Sequence, residues 1–178
     1  IQQDTDLREH IESSTRDLPF SAGTNKTVQF SRRMGWYALI RAMKPKLVVE
    51  TGTDKGLGSC VIAAALMKNH VEGVSGKLMT IDINPEAGAL VSGKYADFVE
   101  QVYDDSLAAL SRVSTGIDLF IHDSDHSLTY ESAEYDQIVE LLSETSIIVS
   151  DNAHVSPELR RFAGRVGRRY LFWLERPR

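Results

Sequence analysis

The chain is poor in cysteine, with Cys60 alone. An intramolecular disulfide is therefore impossible and a four-sulfur metal site is excluded, which fits a reducing, cytoplasmic setting. No apolar run approaches the roughly 20 residues needed to cross a bilayer as a helix. Positive charge is also in deficit: 20 Lys and Arg stand against 25 Asp and Glu, a formal net charge of −5. That balance speaks against nucleic acid as a partner, since such binding normally needs a basic surface. The arginine-rich run from Arg160 to Arg169 is a local exception, but it carries no interleaved aromatics and reads as a solvated helix face. The opening "IQQDTDLREHIE" is polar and acidic, so it does not read as a signal peptide. It also lacks an initiator Met, and the expectation is a processed product or a segment.

What remains is ordinary globular material. The chain has 178 residues, 42% of them hydrophobic, enough for one substantial core. Short β-branched runs alternate with segments of helical spacing. Strands are expected at Lys46–Glu50, Lys77–Ile83, Asp97–Tyr103, Ile117–Ile121, Thr145–Ser150 and in the final "RRYLFWLER". Helices are expected at Asp6–Ser14, at Val28–Met43 ending before Pro45, and at Ser59–Asn69. Further helices are expected in "PEAGALVSG" with Pro85 in its first turn, in "DSLAALSRV", at Thr129–Leu142, and in "SPELRRFAGRVG". Such βα alternation predicts an α/β three-layer sandwich with a doubly wound, mostly parallel sheet. Residues 1–45 read as an N-terminal helical and loop extension, and residues 46–178 as a ligand-binding catalytic domain. The "WYALI" patch, Trp36 to Ile40, is either core or a contact in a homo-oligomer.

In such sheets ligands sit beyond the carboxyl ends of the strands, where the strand order reverses. The polar residues fall there. The first strand runs into "ETGTDKGLGS", with Glu50, Thr51, Gly52, Gly56, Gly58 and Ser59. The second ends in Asp82, the third precedes Asp104, Asp105 and Ser106, the fourth ends in Asp123, Asp125 and His126, and the fifth in Asp151, Asn152 and His154. Each has a plain structural reading, since Asp82 and Asp105 also suit helix caps. Five successive strands ending in carboxylates is more than independent caps explain.

The glycine turn reads G-x-x-x-G-x-G. It is neither the dinucleotide fingerprint G-x-G-x-x-G nor a P-loop. A pyrophosphate would meet Glu50 and Asp54, only partly offset by Lys55. An acid about 20 residues beyond the turn commonly takes ribose hydroxyls, and Asp82 lies at that distance. A ligand with ribose and base but no phosphate fits best.

These stretches, "VVETGTDKGLGS", "LMTIDINPEA", "YDDSLAAL", "IDLFIHDSDHSLTYESAEYDQIV" and "IIVSDNAH", resemble successive motifs of class I S-adenosylmethionine-dependent methyltransferases. The closer likeness is to metal-dependent O-methyltransferases of the catechol and natural-product sugar types. The resemblance runs from about Lys46 to the C-terminus and implies a Rossmann-like methyltransferase fold. It implies that Glu50, Thr51, Gly52, Gly56, Gly58 and Ser59 surround the methionine end of the donor. Asp82 would hold the ribose, Asp105 and Ser106 would flank the adenine, and Asp123 would close the site. It implies Asp123, Asp151 and Asn152 as ligands of Mg²⁺ or another hard divalent cation, and His126 or Asp125 as general base. The glycine turn is longer than in the catechol branch and no lysine base is evident, which points to a sugar-like or other polar hydroxyl acceptor.

The chemistry is coherent. Carboxylate and amide oxygens suit Mg²⁺, and a vicinal diol suits the positions such a ligand set leaves open. An imidazole changes charge near neutral pH and serves as a base. His154 is a rival to His126. His122 ranks lowest, because alternation along the strand turns it away from Asp123. The competing classes are a nicotinamide-dependent oxidoreductase, against which the glycine pattern speaks, a phosphatase-like hydrolase built on "DSD", and a non-catalytic cofactor-fold interaction protein. Cys60, at a helix start among apolar neighbours, reads as packing.

Overall fold

The computed structural model describes residues 1, 4–16, 28–114, 116–151 and 153–173. Five strands, β1 (Leu47–Thr51), β2 (Lys77–Asp82), β3 (Val99–Tyr103), β4 (Ile117–His122) and β5 (Leu142–Ser150), form one sheet in the order β3-β2-β1-β4-β5. All four pairings are parallel. The order reverses between β1 and β4, so the two strands that end in Thr51 and His122 flank the switch point.

Alternation along each strand divides the core into two layers. Val48, Leu78, Leu119 and Ile121 face one side, where they pack with Trp36 and Ile40 of α2 (Arg33–Met43) and with Ile62, Ala65 and Leu66 of α3 (Leu57–Val71). Val49, Ile81 and Phe120 face the other side. They meet Ala109 and Leu110 of α4 (Ser106–Leu110), Tyr135 and Ile138 of α5 (Leu128–Ile138), and Phe162 of α6 (Glu158–Arg165). The α/β three-layer architecture is thus present.

Helix α3 is apolar on nearly every side, and the run from Gly58 to Leu66 is wholly buried. A helix of that kind must be covered all round. The sheet covers one flank and α2 another. The third packs against Leu7 and Ile11 of α1 (Thr5–Arg16) and against Phe30. Trp36 and Ile40 are core residues, 4% and 0% exposed. Among the described residues no helix is long and apolar enough to cross a membrane.

Two expectations are corrected. The segment opened by Pro85 is not an α-helix but a series of turns followed by a short 3₁₀ helix, Gly93–Phe98. Its amides are spent elsewhere: Gly88 N donates to Asp54 O (2.7 Å) and Leu90 N to Lys55 O (2.9 Å). Gly88 also takes a φ of +77°, a left-handed conformation that favours glycine, and lies against the end of the Gln101 side chain. The segment serves as a brace for the glycine turn. The second correction concerns the sixth strand. Residues 168–173 are not strand, and Leu171 and Trp173 are about nine-tenths exposed; the rest of that run lies outside the described residues. The 3₁₀ turn Val139–Leu141 also ends α5 early and lets β5 begin at Leu142.

Candidate active site

The carboxyl rim of the sheet is held in register by backbone bonds that continue past the strands. Gly52 N donates to Ile81 O (2.8 Å), Asp123 N to Thr51 O (2.8 Å), Asp151 N to His122 O (2.9 Å) and Asp104 N to Asp82 O (3.1 Å). One consequence is the closeness of the β1 turn to the β4 loop. Gly52 has a φ of +90°, and a Cβ there would lie 2.0 Å from Asp123 O. Only glycine fits. Gly58 has a similar role deeper down, where a Cβ would meet Glu50 Oε1 at 2.6 Å and the Trp36 ring at 2.8 Å.

A cavity of about 520 Å³ opens at this rim, well within the usual range for small-molecule sites. Glu50, Gly52, Gly58, Asp82, Asp105, Ser106, Asp123 and Asp125 all line it. Thr51, Gly56 and Ser59 stand behind its wall. Gly56 precedes α3 with a φ of +90°. Ser59 Oγ donates to Glu50 Oε2 (2.6 Å), as does Thr80 Oγ1 (2.8 Å). Even so, burial pushes the Glu50 carboxyl up to about 7, because two hydroxyl donors do not replace lost hydration.

Asp82 is fully engaged by amides. Its Oδ2 accepts from Thr53 N and Asp54 N (both 2.9 Å), and its Oδ1 accepts from Asn84 N (2.9 Å). The carboxylate therefore folds the glycine turn and presents to the cavity at the same time. Ile83, the next residue, is 77% exposed and also lines the cavity. Asp105 caps α4 by accepting from Ala108 N (3.1 Å), and it also accepts from Tyr130 OH (2.8 Å). Asp105 is the helix cap that its position suggested, whereas Asp82 braces the glycine turn and caps no helix.

The ends of β4 and β5 bring a second set of ionisable groups together. Asp123, His126 and Asp151 place one ligand atom each within 4.8 Å of one another. His126 Nε2 lies 3.9 Å from Asp123 Oδ1. Burial first, and the adjacent Asp151 second, hold the Asp123 carboxyl well above the usual carboxylate range. Arg32 Nη2 reaches 2.5 Å from Asp151 Oδ2 and 3.8 Å from Asp123 Oδ2. The shorter contact is an ion pair without hydrogen-bond alignment, since Asp151 Oδ2 is buried and accepts no hydrogen bond. Asp125 is exposed and accepts from Ser127 N (2.8 Å). Asn152 lies outside the described residues. His154 is exposed.

Behind the rim is a hub the sequence did not announce. Glu134 of α5 is fully buried. It accepts from Thr51 Oγ1 (2.9 Å), Ser124 Oγ (2.9 Å) and Ser106 Oγ, and His122 Nδ1 donates to it at 2.7 Å. His122 is turned away from the cavity, as alternation requires, and serves this hub. Cys60 is likewise structural: it is buried, its thiol is pushed up to about 12, and its Sγ donates to Leu90 O.

A family model described as a methyltransferase domain matches residues 49–153, more than half of the chain and the whole span from β1 to the loop after β5. The chain belongs to the methyltransferase-domain family. Solved structures agree on the fold of this methyltransferase-domain protein. An SAH-bound methyltransferase from Podospora anserina, PaMTH1, superposes with a TM-score of 0.66 at 16% identity, covering 90% of this chain and 78% of that one. An O-methyltransferase from Bacillus cereus in complex with SAH gives 0.64 at 17%, covering 93% and 80%. The O-methyltransferase TomG from Streptomyces achromogenes, involved in tomaymycin synthesis and solved with SAM, gives 0.63 at 20%, covering 94% and 80%. No curated protein matches the chain.

Proposed function

We propose that the protein is an S-adenosylmethionine-dependent O-methyltransferase acting on a hydroxyl of a small polar molecule, with a sugar or vicinal diol as the favoured acceptor. The observation that carries this reading is the charge of the cavity. Glu50, Asp54, Asp82, Asp104, Asp105, Asp123 and Asp125 line it, against Arg32 and Arg33. Such a wall attracts a cationic sulfonium and repels a dinucleotide pyrophosphate. The SAH and SAM complexes among the structural neighbours support the choice of donor.

In this reading residues 46–178 hold the donor and residues 1–45 add an extension that supplies Arg32. Asp82 takes the ribose hydroxyls, with Ile83 as an apolar surface for the base. Asp105 and Ser106 close the adenine side. Glu50 faces the ammonium of the methionine end, which favours the ionised carboxylate. The glycines at 52 and 58 keep the wall thin enough for the donor to approach the strand ends.

Methyl transfer forms a carbon–oxygen bond to the acceptor and breaks the carbon–sulfur bond of the donor. The products are a methyl ether and S-adenosylhomocysteine, and the hydroxyl proton must leave. His126 is the better placed acceptor for it, since it sits beside Asp123 while Asp125 spends an oxygen on the Ser127 amide. Alignment of the reacting atoms supplies much of the acceleration, up to ~7–11 kcal/mol in ideal cases.

The acid pair also fits a hard divalent cation. Asp123 and Asp151 are crowded, largely buried and offset by one arginine only, and Asp151 Oδ2 has no hydrogen bond. Asp123, Asp151 and Asn152 are the side chains that would hold Mg²⁺, which would supply positive charge to acidify and orient the acceptor oxygen.

Calorimetric titration tests the reading. S-adenosylhomocysteine should bind and nicotinamide dinucleotide should not. Asp82→Ala should weaken the first by about 10- to 100-fold, the worth of hydrogen bonds to a charged group. Tight binding of the dinucleotide instead would favour an oxidoreductase.

A further inference from the structure

The acid pair already has a cation, and it comes from the protein. Arg32 is the residue before α2, and its backbone is helical while its side chain gives no cap to the helix. With Arg33 it places two positive charges at the positive end of a helix whose first turn holds no acid. That arrangement opposes the helix dipole. The residue before it, Ser31, has a φ of +44°, the left-handed region that non-glycine residues avoid. A segment that breaks two local rules needs a compensating contact, and here it is the ion pair with Asp151 (2.5 Å) and the longer approach to Asp123 (3.8 Å).

That contact is built to be given up. The Arg32 side chain is 43% exposed, so it retains a path to solvent, while its partner Asp151 is 7% exposed. The guanidinium lies against Asp151 Oδ2 without hydrogen-bond alignment. One positive charge offsets only half of two carboxylates. A divalent cation offsets both and is compact enough to sit between the two carboxylates, which each place an oxygen within 4.8 Å of the other.

We propose that Arg32 is a displaceable internal counter-ion of the Asp123–Asp151 pair, mutually exclusive with a divalent cation. Cation binding expels the guanidinium toward the donor cavity, whose wall Arg32 already forms in part. The fold thereby keeps the acid pair half-neutralised before loading, and the arginine sets how tightly the site takes metal. The proposal rests on the reading of this pair as a cation site, and the test separates the two.

The probe is Mn²⁺ alone, titrated into wild type, Arg32→Ala and Arg32→Gln and followed by loss of the free-ion paramagnetic resonance signal. Removing a competing ion pair should tighten Mn²⁺ binding by about five- to tenfold in both variants. The thermal midpoint gives a second readout independent of turnover. Without metal, Arg32→Ala should melt below wild type, and saturating Mn²⁺ should raise its midpoint by more than it raises the wild-type midpoint. Asp151→Asn should remove the metal-dependent rise. Equal Mn²⁺ affinity in wild type and both variants, or weaker binding in the variants, would overturn the role of Arg32 and leave the cation site standing. No binding in any of the three would overturn the cation site and this proposal together.

Discussion

Two groups of carboxylates lie close together around the end of β4, and the protein treats them in opposite ways. Glu134 is fully buried and is met by four donors from three segments: Thr51 at the end of β1, Ser106 at the start of α4, and His122 and Ser124 at the end of β4 and just beyond it. Asp123 and Asp151 are less deeply placed, yet among the described residues they receive a misaligned arginine and, at Asp123, a histidine at 3.9 Å. A buried acid whose lone pairs are satisfied by its own chain is architecture, because its removal leaves donors stranded. A crowded pair left short of positive charge is costly to keep, which is the basis for proposing a ligand there. The first group fixes the wall from behind, and the second faces outward at its edge.

The contrast is sharpened by removing one acid from each group. Glu134→Ala strands four donors from three segments, the His122 imidazole among them, so it should cost ~3–5 kcal/mol of stability in urea unfolding. Asp151→Asn should behave the other way: turnover should fall by about 100-fold or more, comparable to the loss of one charge-stabilising group in an active site, while stability falls by only about 0–1 kcal/mol, the worth of a partly exposed ion pair. A variant pattern in which Asp151→Asn unfolds the protein and Glu134→Ala does not would reverse the assignment of the two groups.

A smaller effect concerns Glu50, which belongs to neither extreme. Two hydroxyls hold it, but burial still raises it from its ordinary 4.5 to about 7. The folded protein therefore keeps a proton there that the unfolded chain has already released. Stability from this group is complete below about 4.5 and declines as pH rises through the interval to 7. Glu50→Gln should flatten the stability profile between those values, and an unchanged slope in the variant would place the proton elsewhere.

The strands were readable because β1 and β4, buried on both faces, leave continuous apolar runs, and the acids beyond them mark where such runs stop. The expectation of a helix at Pro85 failed because propensity is local, whereas Gly88 and Leu90 give their amides to Asp54 and Lys55, more than thirty residues upstream. The site was legible where chemistry sits at strand ends, as at Glu50, Asp82 and Asp123. Arg32 was not, since it precedes a helix with no motif around it. Glu134 was not, since a glutamate in a helix ordinarily faces water, and only the tertiary approach of three separate segments reveals it. Ile83 carried a faint signal, an apolar residue immediately past an acidic strand end and before a proline-bearing turn.

An anomalous-difference map from crystals grown with S-adenosylhomocysteine and Mn²⁺ tests the central claim most directly. The account predicts a manganese peak between Asp123 and Asp151, the Arg32 guanidinium withdrawn from Asp151, and the ribose of the bound product on Asp82. Product bound away from Asp82, or manganese absent from the acid pair while Arg32 keeps its place, would contradict it.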